Sequence, residues 1–329
     1  MSLHTRLNDL LGIEHPVISA PRAFAAGGAL AAAVSGAGGL GLIGGGYGDA
    51  QWLEREFAAA GNARVGCGFI TWSLAKRSAL LDQVLAHAPA AVMLSFGSPL
   101  PFAPRIKDAG ATLICQIQSM EHVRQAVEAG ADVIVAQGAE AGGHGHARAT
   151  FTLVPEVADY LAKTAPKTVL VAAGGIADGR GLAAALMLGA EGVLIGSRFW
   201  ASAEALVHPA FHQAALAADG DASVRTTVVD LARKIDWPAP FTARVLNTRF
   251  VQDWHGREDE LAAPEVADRE MRRYVQAMQD GDPDNTGVWV GEAAGLIDSV
   301  RSARDLLHGI VRDAEALLGD KARRLADGA

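Results

Sequence analysis

"TVLVAAGGIADGRGLAAALMLGAEGVLIGS", Thr168 to Ser197, holds one full period of the pattern that decides the fold. An apolar run, TVLVAA (168–173), meets the glycine pair Gly174–Gly175. An alanine- and leucine-rich stretch of helical length follows. A glycine stops it at Leu-Gly, where the left-handed conformation ends a helix, and a second apolar run, GVLIGS (192–197), begins. The apolar runs are continuous rather than alternating, as expected of strands buried on both faces of a parallel sheet.

Working outward, the same period recurs. The other runs are HPVISA (15–20), GLGLI (39–43), RVGCGFI (64–70), AAVMLSF (90–96), ATLICQI (111–117) and DVIVAQ (132–137), with helix candidates such as DAQWLEREFAAAG and SMEHVRQAVEAG between them. Eight strands alternating with helices over about 200 residues predict an α/β fold, a (β/α)8 TIM barrel. The barrel is expected over residues 1–206. The rhythm breaks after Phe199. A helical cap is expected over 207–284, and a C-terminal segment returning to the barrel over 285–329. The last strong amphipathic helix, SARDLLHGIVRDAEALLGDKARRL (302–325), starts at the N-cap Ser302.

The 329 residues carry a formal charge of −8 and no block of Lys or Arg, which argues against nucleic acid and anionic membranes as partners. Cys67 and Cys115 sit in apolar runs and read as buried free thiols. With no leader-like N-terminus, they suit a reducing, cytoplasmic setting. Gly27 to Gly46 is uncharged over about the length of a membrane span, but its central glycines divide it into a buried helix and a buried strand.

Ligands of such barrels bind at the C-terminal strand ends. After the seventh and eighth predicted strands come Gly174, Gly175, Gly196 and Ser197. Their bare amides, the Ser197 hydroxyl and the helix starting near Asp178 or Gly179 compose a phosphate cradle. After the sixth strand comes QGAEAGGHGH (137–146). Its histidines are two apart and Glu140 is the one carboxylate nearby, a poor donor set for a metal. Placed beside the cradle, His144 reads as functional. His146 has the weaker claim.

At this point the residues match a family. APRAF (20–24), AGGLGLIGGG (37–46), QGAEAGGHGH, the 172–199 stretch and His208–Pro209 together resemble the nitronate monooxygenases, also called 2-nitropropane dioxygenases. That superfamily also holds flavin-dependent enoyl-acyl-carrier-protein reductases and quinone reductases. The resemblance implies an FMN-dependent oxidoreductase. Ala173, Gly174, Gly175, Gly196 and Ser197 would hold the FMN phosphate. Ala20, Pro21, Arg22, Gly68, Gln116, Gln137, Gly142 and Gly143 would surround the rest of the cofactor, with His144 catalytic over the ring. The implied reaction oxidises an alkyl nitronate with O2 to a carbonyl compound and nitrite. The alternative is an NAD(P)H-dependent reduction of a quinone or enoyl thioester on the same site. Partners are then a small-molecule substrate, O2 and, in the alternative, NAD(P)H, with a homodimer among the assemblies open to the chain. Arg22 departs from the family, where many members have Met. Its cation either turns outward to a surface carboxylate or faces the site. The chain has only Tyr47, Tyr160 and Tyr274, a poor match to subgroups with tyrosine-lined pockets. Trp289 and Glu292 are two further residues that can reach the pocket from the returning segment.

Overall fold

The computed structural model describes residues 3–321. Eight strands form the barrel: β1 (Val17–Ser19), β2 (Leu42–Gly46), β3 (Gly66–Ile70), β4 (Ala91–Ser95), β5 (Thr112–Ile117), β6 (Val133–Gln137), β8 (Val169–Ala173) and β9 (Val193–Ile195). Every pairing is parallel, in the order β1-β9-β8-β6-β5-β4-β3-β2. The ring closes between β1 and β2 through the Ile18–Leu40 bridge, where the Leu40 amide donates to the Val17 carbonyl and the Ser19 amide to the Leu40 carbonyl. The expected TIM barrel is therefore the fold.

Each apolar run of the sequence became a barrel strand. The second is displaced: the run ends at Ile43, but β2 continues over Gly44, Gly45 and Gly46. Glycines leave no apolar signature, so the pattern misses them. Inside the barrel Ile18, Leu42, Met93, Ile114, Val135, Val171 and Leu194 form a dry core. The helix Arg6–Leu11 plugs the N-terminal end with Leu7 and Leu11. The C-terminal ends stay free for a site.

Gly27 to Gly46 splits as expected, into the helix Gly28–Gly36 and β2. Among the described residues no helix is long and apolar enough to cross a membrane. The segment packs closely: a Cβ on Gly41 would lie 1.9 Å from the Ala31 carbonyl oxygen and 2.4 Å from the Ala31 Cα, both backbone atoms that cannot rotate away. Gly41→Ala is expected to cost about 2–3 kcal/mol or more, read as a lower urea midpoint with an unchanged m-value.

The segment expected as a helical cap does carry helices, the longest being Pro264–Asp280. It also contributes two strands, β10 (Ser223–Thr226) and β11 (Thr242–Leu246). These form an antiparallel sheet in the order β10-β11-β7 with β7 (Gly143–Gly145), a strand from the loop after β6. The sequence GHG has no strand pattern; pairing with a distant strand makes it one. The helix Ala303–Ala316 has Ser302 as its N-cap and packs on Gly28–Gly36 and Gly179–Met187. Residues 322–325 of the expected final helix lie outside the described residues.

Candidate active site

The stretch Gln137–His146 is held from both sides. Gln116 and Gln118 each donate through Nε2 to Gln137 Oε1, at 3.1 and 2.9 Å, and Gln137 Nε2 donates to the His144 carbonyl at 3.0 Å. From β10 and β11, Arg225 and Arg244 both donate to the Ala139 carbonyl. Glu140 turns away from the histidines and accepts from the Thr150 amide and hydroxyl. Gly142 lies flat under the returning segment, where a Cβ would meet the Gly291 nitrogen at 2.5 Å. The glycines of this stretch therefore serve close backbone approach rather than flexibility.

On β7, His144 pairs with Ala243 of β11, and its side chain is buried. Its Nε2 lies 2.9 Å from Asp230 Oδ2, and Asp230 Oδ1 accepts from Arg233 at 2.7 Å. A carboxylate can only accept, so Nε2 carries the hydrogen and Nδ1 keeps its lone pair. Nδ1 has no hydrogen-bond partner among the described residues. The imidazole stacks on the Trp237 indole, with centroids 3.4 Å apart and planes 10° apart. Burial lowers the His144 pKa below the ordinary 6.5, opposed by the Asp230 hydrogen bond and charge. The imidazole is consequently neutral at pH 7.

His144 lines a cavity of about 350 Å³ at the C-terminal ends of the strands, together with Ala20, Pro21, Arg22, Gly68 and Gln116. Gln137, Gly142 and Gly143 line it as well. Its upper wall is tryptophan-rich, with Trp200, Trp237 and Trp289. Of the three tyrosines only Tyr47 lines it. The Tyr47 hydroxyl accepts from Trp237 Nε1 at 2.9 Å and from Arg233 at 3.4 Å, which leaves its own hydrogen for a ligand.

A smaller cavity of about 60 Å³ adjoins the first, with Ala20, Arg22, Gln116, Gln137 and Gly142 common to both. It is lined by Ala173, Gly174, Gly175, Gly196 and Ser197. Gly174 has φ 106°, and a Cβ there would meet Thr150 Oγ1 at 2.8 Å and the Gly138 oxygen at 3.0 Å. The helix Gly179–Met187 begins next to this cradle with Asp178 as its cap, and the short helix Ser197–Trp200 starts at the cradle itself. Ser197 Oγ accepts from the Gly291 amide at 3.0 Å, so its hydrogen remains free to donate.

Arg22 faces the site. Its guanidinium donates to the Trp289 carbonyl and lies 5.7 Å from the Trp200 ring centre, on the border of the two cavities. Its Nη1 is buried with no partner. Burial pushes its pKa down to about 10, which leaves it a cation at neutral pH. Among the described residues no carboxylate pairs with it. An unpartnered guanidinium nitrogen beside bare glycine amides fits the anionic tail of a cofactor.

Other expected residues lie elsewhere. His146 is half-buried, with an unpartnered Nδ1, and does not line either cavity described. Glu292 pairs with Arg244 at 2.7 Å, whereas Trp289 does reach the larger cavity. Burial pushes both the Cys67 and Cys115 thiols up to about 12, as inert core thiols. Asp230, Arg233, Trp237 and Tyr47 were not singled out as site residues from the sequence. No local motif marks any of them.

The molecule is thus an eight-stranded barrel with a glycine-lined cavity at its last two strands and a carboxylate-held histidine lining the adjoining cavity. The family model for nitronate monooxygenase matches residues 4–65 and 70–313. A nitronate monooxygenase of Metarhizium robertsii is 36% identical, over 92% of this chain and 91% of that protein. The (3aS,4S,5R,7aS)-5-hydroxy-7a-methyl-1-oxo-octahydro-1H-indene-4-carboxyl-CoA dehydrogenase of Mycobacterium tuberculosis is 32% identical, over 95% of this chain and 97% of that protein. Among solved structures, FabK from Thermotoga maritima superposes with a TM-score of 0.84 at 33% identity, covering 97% of this chain and 98% of that one. The chain belongs to the nitronate monooxygenase family, a family of flavin-dependent oxidoreductases acting on small molecules.

Proposed function

We propose that this protein binds FMN and oxidises alkyl nitronates with O2 to carbonyl compounds and nitrite, and that His144 deprotonates neutral nitroalkanes. The observation that carries this reading is the imidazole of His144, held by Asp230 Oδ2 at 2.9 Å and lining a cavity that adjoins the glycine cradle. FMN, when bound, supplies the electron acceptor and the contact with O2. Its phosphate would be held by the amides of Gly174, Gly175, Gly196 and Ser197, with Ala173 at the same turn and Arg22 at the border. Ala20, Pro21, Gly68, Gln116, Gln137, Gly142 and Gly143 would surround the remainder.

The protein's own share of the chemistry is binding and proton transfer. His144 Nδ1, with its lone pair, takes the α-proton of a neutral nitroalkane, and the imidazolium so formed is stabilised by Asp230 through Nε2–H. Tyr47 donates its free hydrogen to a nitro oxygen. Arg233, fixed by Asp230, places a positive charge on the same side. The tryptophan wall keeps water from the substrate carbon.

The deciding experiment is anaerobic mixing of the purified yellow protein with a nitronate and, separately, with NADPH. Bleaching by the nitronate, with oxygen uptake and nitrite release once air is admitted, is the expected result. Bleaching by NADPH alone, with no reaction of the nitronate, would replace this reading by the reductase.

The role of Asp230 is tested separately. Asp230→Asn removes the charge that raises the His144 pKa and weakens its hold on the tautomer. The acid limb of kcat/KM for a neutral nitroalkane should move to lower pH, and the plateau should drop on the order of 10- to 100-fold. A purely structural role for Asp230 would lower flavin content or stability and leave the limb in place.

A further inference from the structure

A second concavity, of about 290 Å³, opens beside the catalytic cavity on the side of β2 and β3, and no step above uses it. Ala23, Phe24, Gly46 and Tyr47 line both, so the two lie in series. The catalytic cavity by itself is within the size range that takes a drug-sized ligand. The residues proposed to surround the flavin line that cavity, so flavin and a small nitroalkane would share it, and the second concavity beyond is left unused.

The chemistry of the second cleft is specific. Trp52 and Trp72 stand in its wall, and Lys76 and Arg77, both exposed, lie at its rim. Lys76 Nζ is 4.8 Å from the Trp72 ring centre, and Arg77 donates to the Gly48 carbonyl at 2.7 Å. Neither contact is with a carboxylate, although the chain as a whole carries −8. Among the lining residues the one acid is Asp49, which is engaged as a helix cap by the Trp52 amide. Trp72 Nε1 is buried without a partner. Gly44, Gly45, Gly46 and Gly48 leave the floor as bare backbone. At the junction of the two cavities stands Phe24, with φ 60° and 57% exposed, edge-on to Trp52 at 5.6 Å. A phenyl side chain held in the left-handed region and turned to solvent is costly unless something uses it.

Two indoles, a phenyl ring and two adjacent cations without acidic partners suit a flat base joined to phosphates. We propose that this cleft binds the nucleotide end, base and phosphates, of a longer substrate whose reacting end passes between Phe24 and Tyr47 to His144. The bases stack against the indole wall and the phosphates meet Lys76 and Arg77. Reduced nicotinamide dinucleotides and coenzyme A thioesters share this chemistry. Only the reacting end rests on the flavin reading above; the cleft is tested by binding alone.

The probe is ADP, titrated calorimetrically into flavin-loaded protein so that the glycine cradle is already filled. Wild-type protein is expected to bind ADP more tightly than adenosine or inorganic phosphate. Lys76→Gln should weaken ADP several-fold and Lys76→Gln with Arg77→Gln at least tenfold, with flavin content and turnover of a small nitronate unchanged. Displacement of ADP by NADPH identifies a reductant as the source, and displacement by coenzyme A identifies a thioester. No ADP binding to the wild type, equal affinity in the double variant, or displacement by neither compound overturns the proposal. Failure of the chain to take up flavin or oxidise a nitronate strikes the proposed function instead. In that event the same titration on flavin-free protein, wild type against the Lys76→Gln with Arg77→Gln variant, still judges the cleft, because both proteins share the same glycine cradle.

Discussion

His144→Ala is expected to lose on the order of 10³-fold in kcat/KM for a neutral nitroalkane while oxidising the preformed nitronate within a few-fold of the wild type. The two substrates differ by one proton, and the lone pair of Nδ1 is the group placed to remove it. His144→Gln, which keeps a donor toward Asp230 without a titrating ring, should behave in the same way. In the wild type the rate on neutral substrate requires neutral imidazole. It therefore rises with pH through the His144 pKa, which burial holds below 6.5, and levels off above it. Both variants should lack that limb. Stopped-flow flavin reduction with each substrate across pH 5–9 is the measurement. Equal losses on nitroalkane and nitronate would mean that His144 positions the substrate and does not take its proton.

The second large effect concerns the cradle. Gly174→Val should give a folded protein with less than about a tenth of the wild-type flavin, read from the ratio of visible to ultraviolet absorbance. Two costs combine. At φ 106° a β-branched residue is strained by about 1–3 kcal/mol. Its Cβ would also lie 2.8 Å from Thr150 Oγ1 and 3.0 Å from the Gly138 oxygen, so the turn must open where the amides converge. Gly110→Val separates the costs. Gly110 has φ 75°, but a Cβ there meets nothing within 4 Å, so this variant carries the strain without touching the cradle. It should lose stability and keep its flavin. If Gly174→Val retains full flavin, the cradle does not hold the phosphate.

The residues that line the two cavities and lie in glycine-rich turns were legible in the sequence because those turns are local. A glycine pair after an apolar run marks a strand end with bare backbone, and two such turns at adjacent strands are the pattern proposed to hold a phosphate. The histidine was visible for the same reason, as an unusual residue in a glycine-rich loop directly after a strand. What surrounds it was not. Asp230 lies 86 residues further along the chain. Arg233 and Trp237 come from the same distant segment, and nothing in their immediate neighbours distinguishes them from surface residues. The orientation of Arg22 was also undecided in sequence, because a long side chain beside a strand end can turn either way.

The sequence by itself determined the eight-strand barrel and the placement of the glycine turns and His144 at the C-terminal ends of its strands. Each depends on residues within a few positions of one another: continuous apolar runs, helix-stopping glycines, missing side chains. Only the tertiary structure decided that GHG becomes a strand, that Nε2 of His144 is taken by Asp230, that Arg22 faces inward, and that Trp72 and Lys76 open onto a cleft beside the cavity. These are encounters between segments far apart in the chain. Their energies come from burial and pairing once those segments have packed together, and no local pattern carries that information.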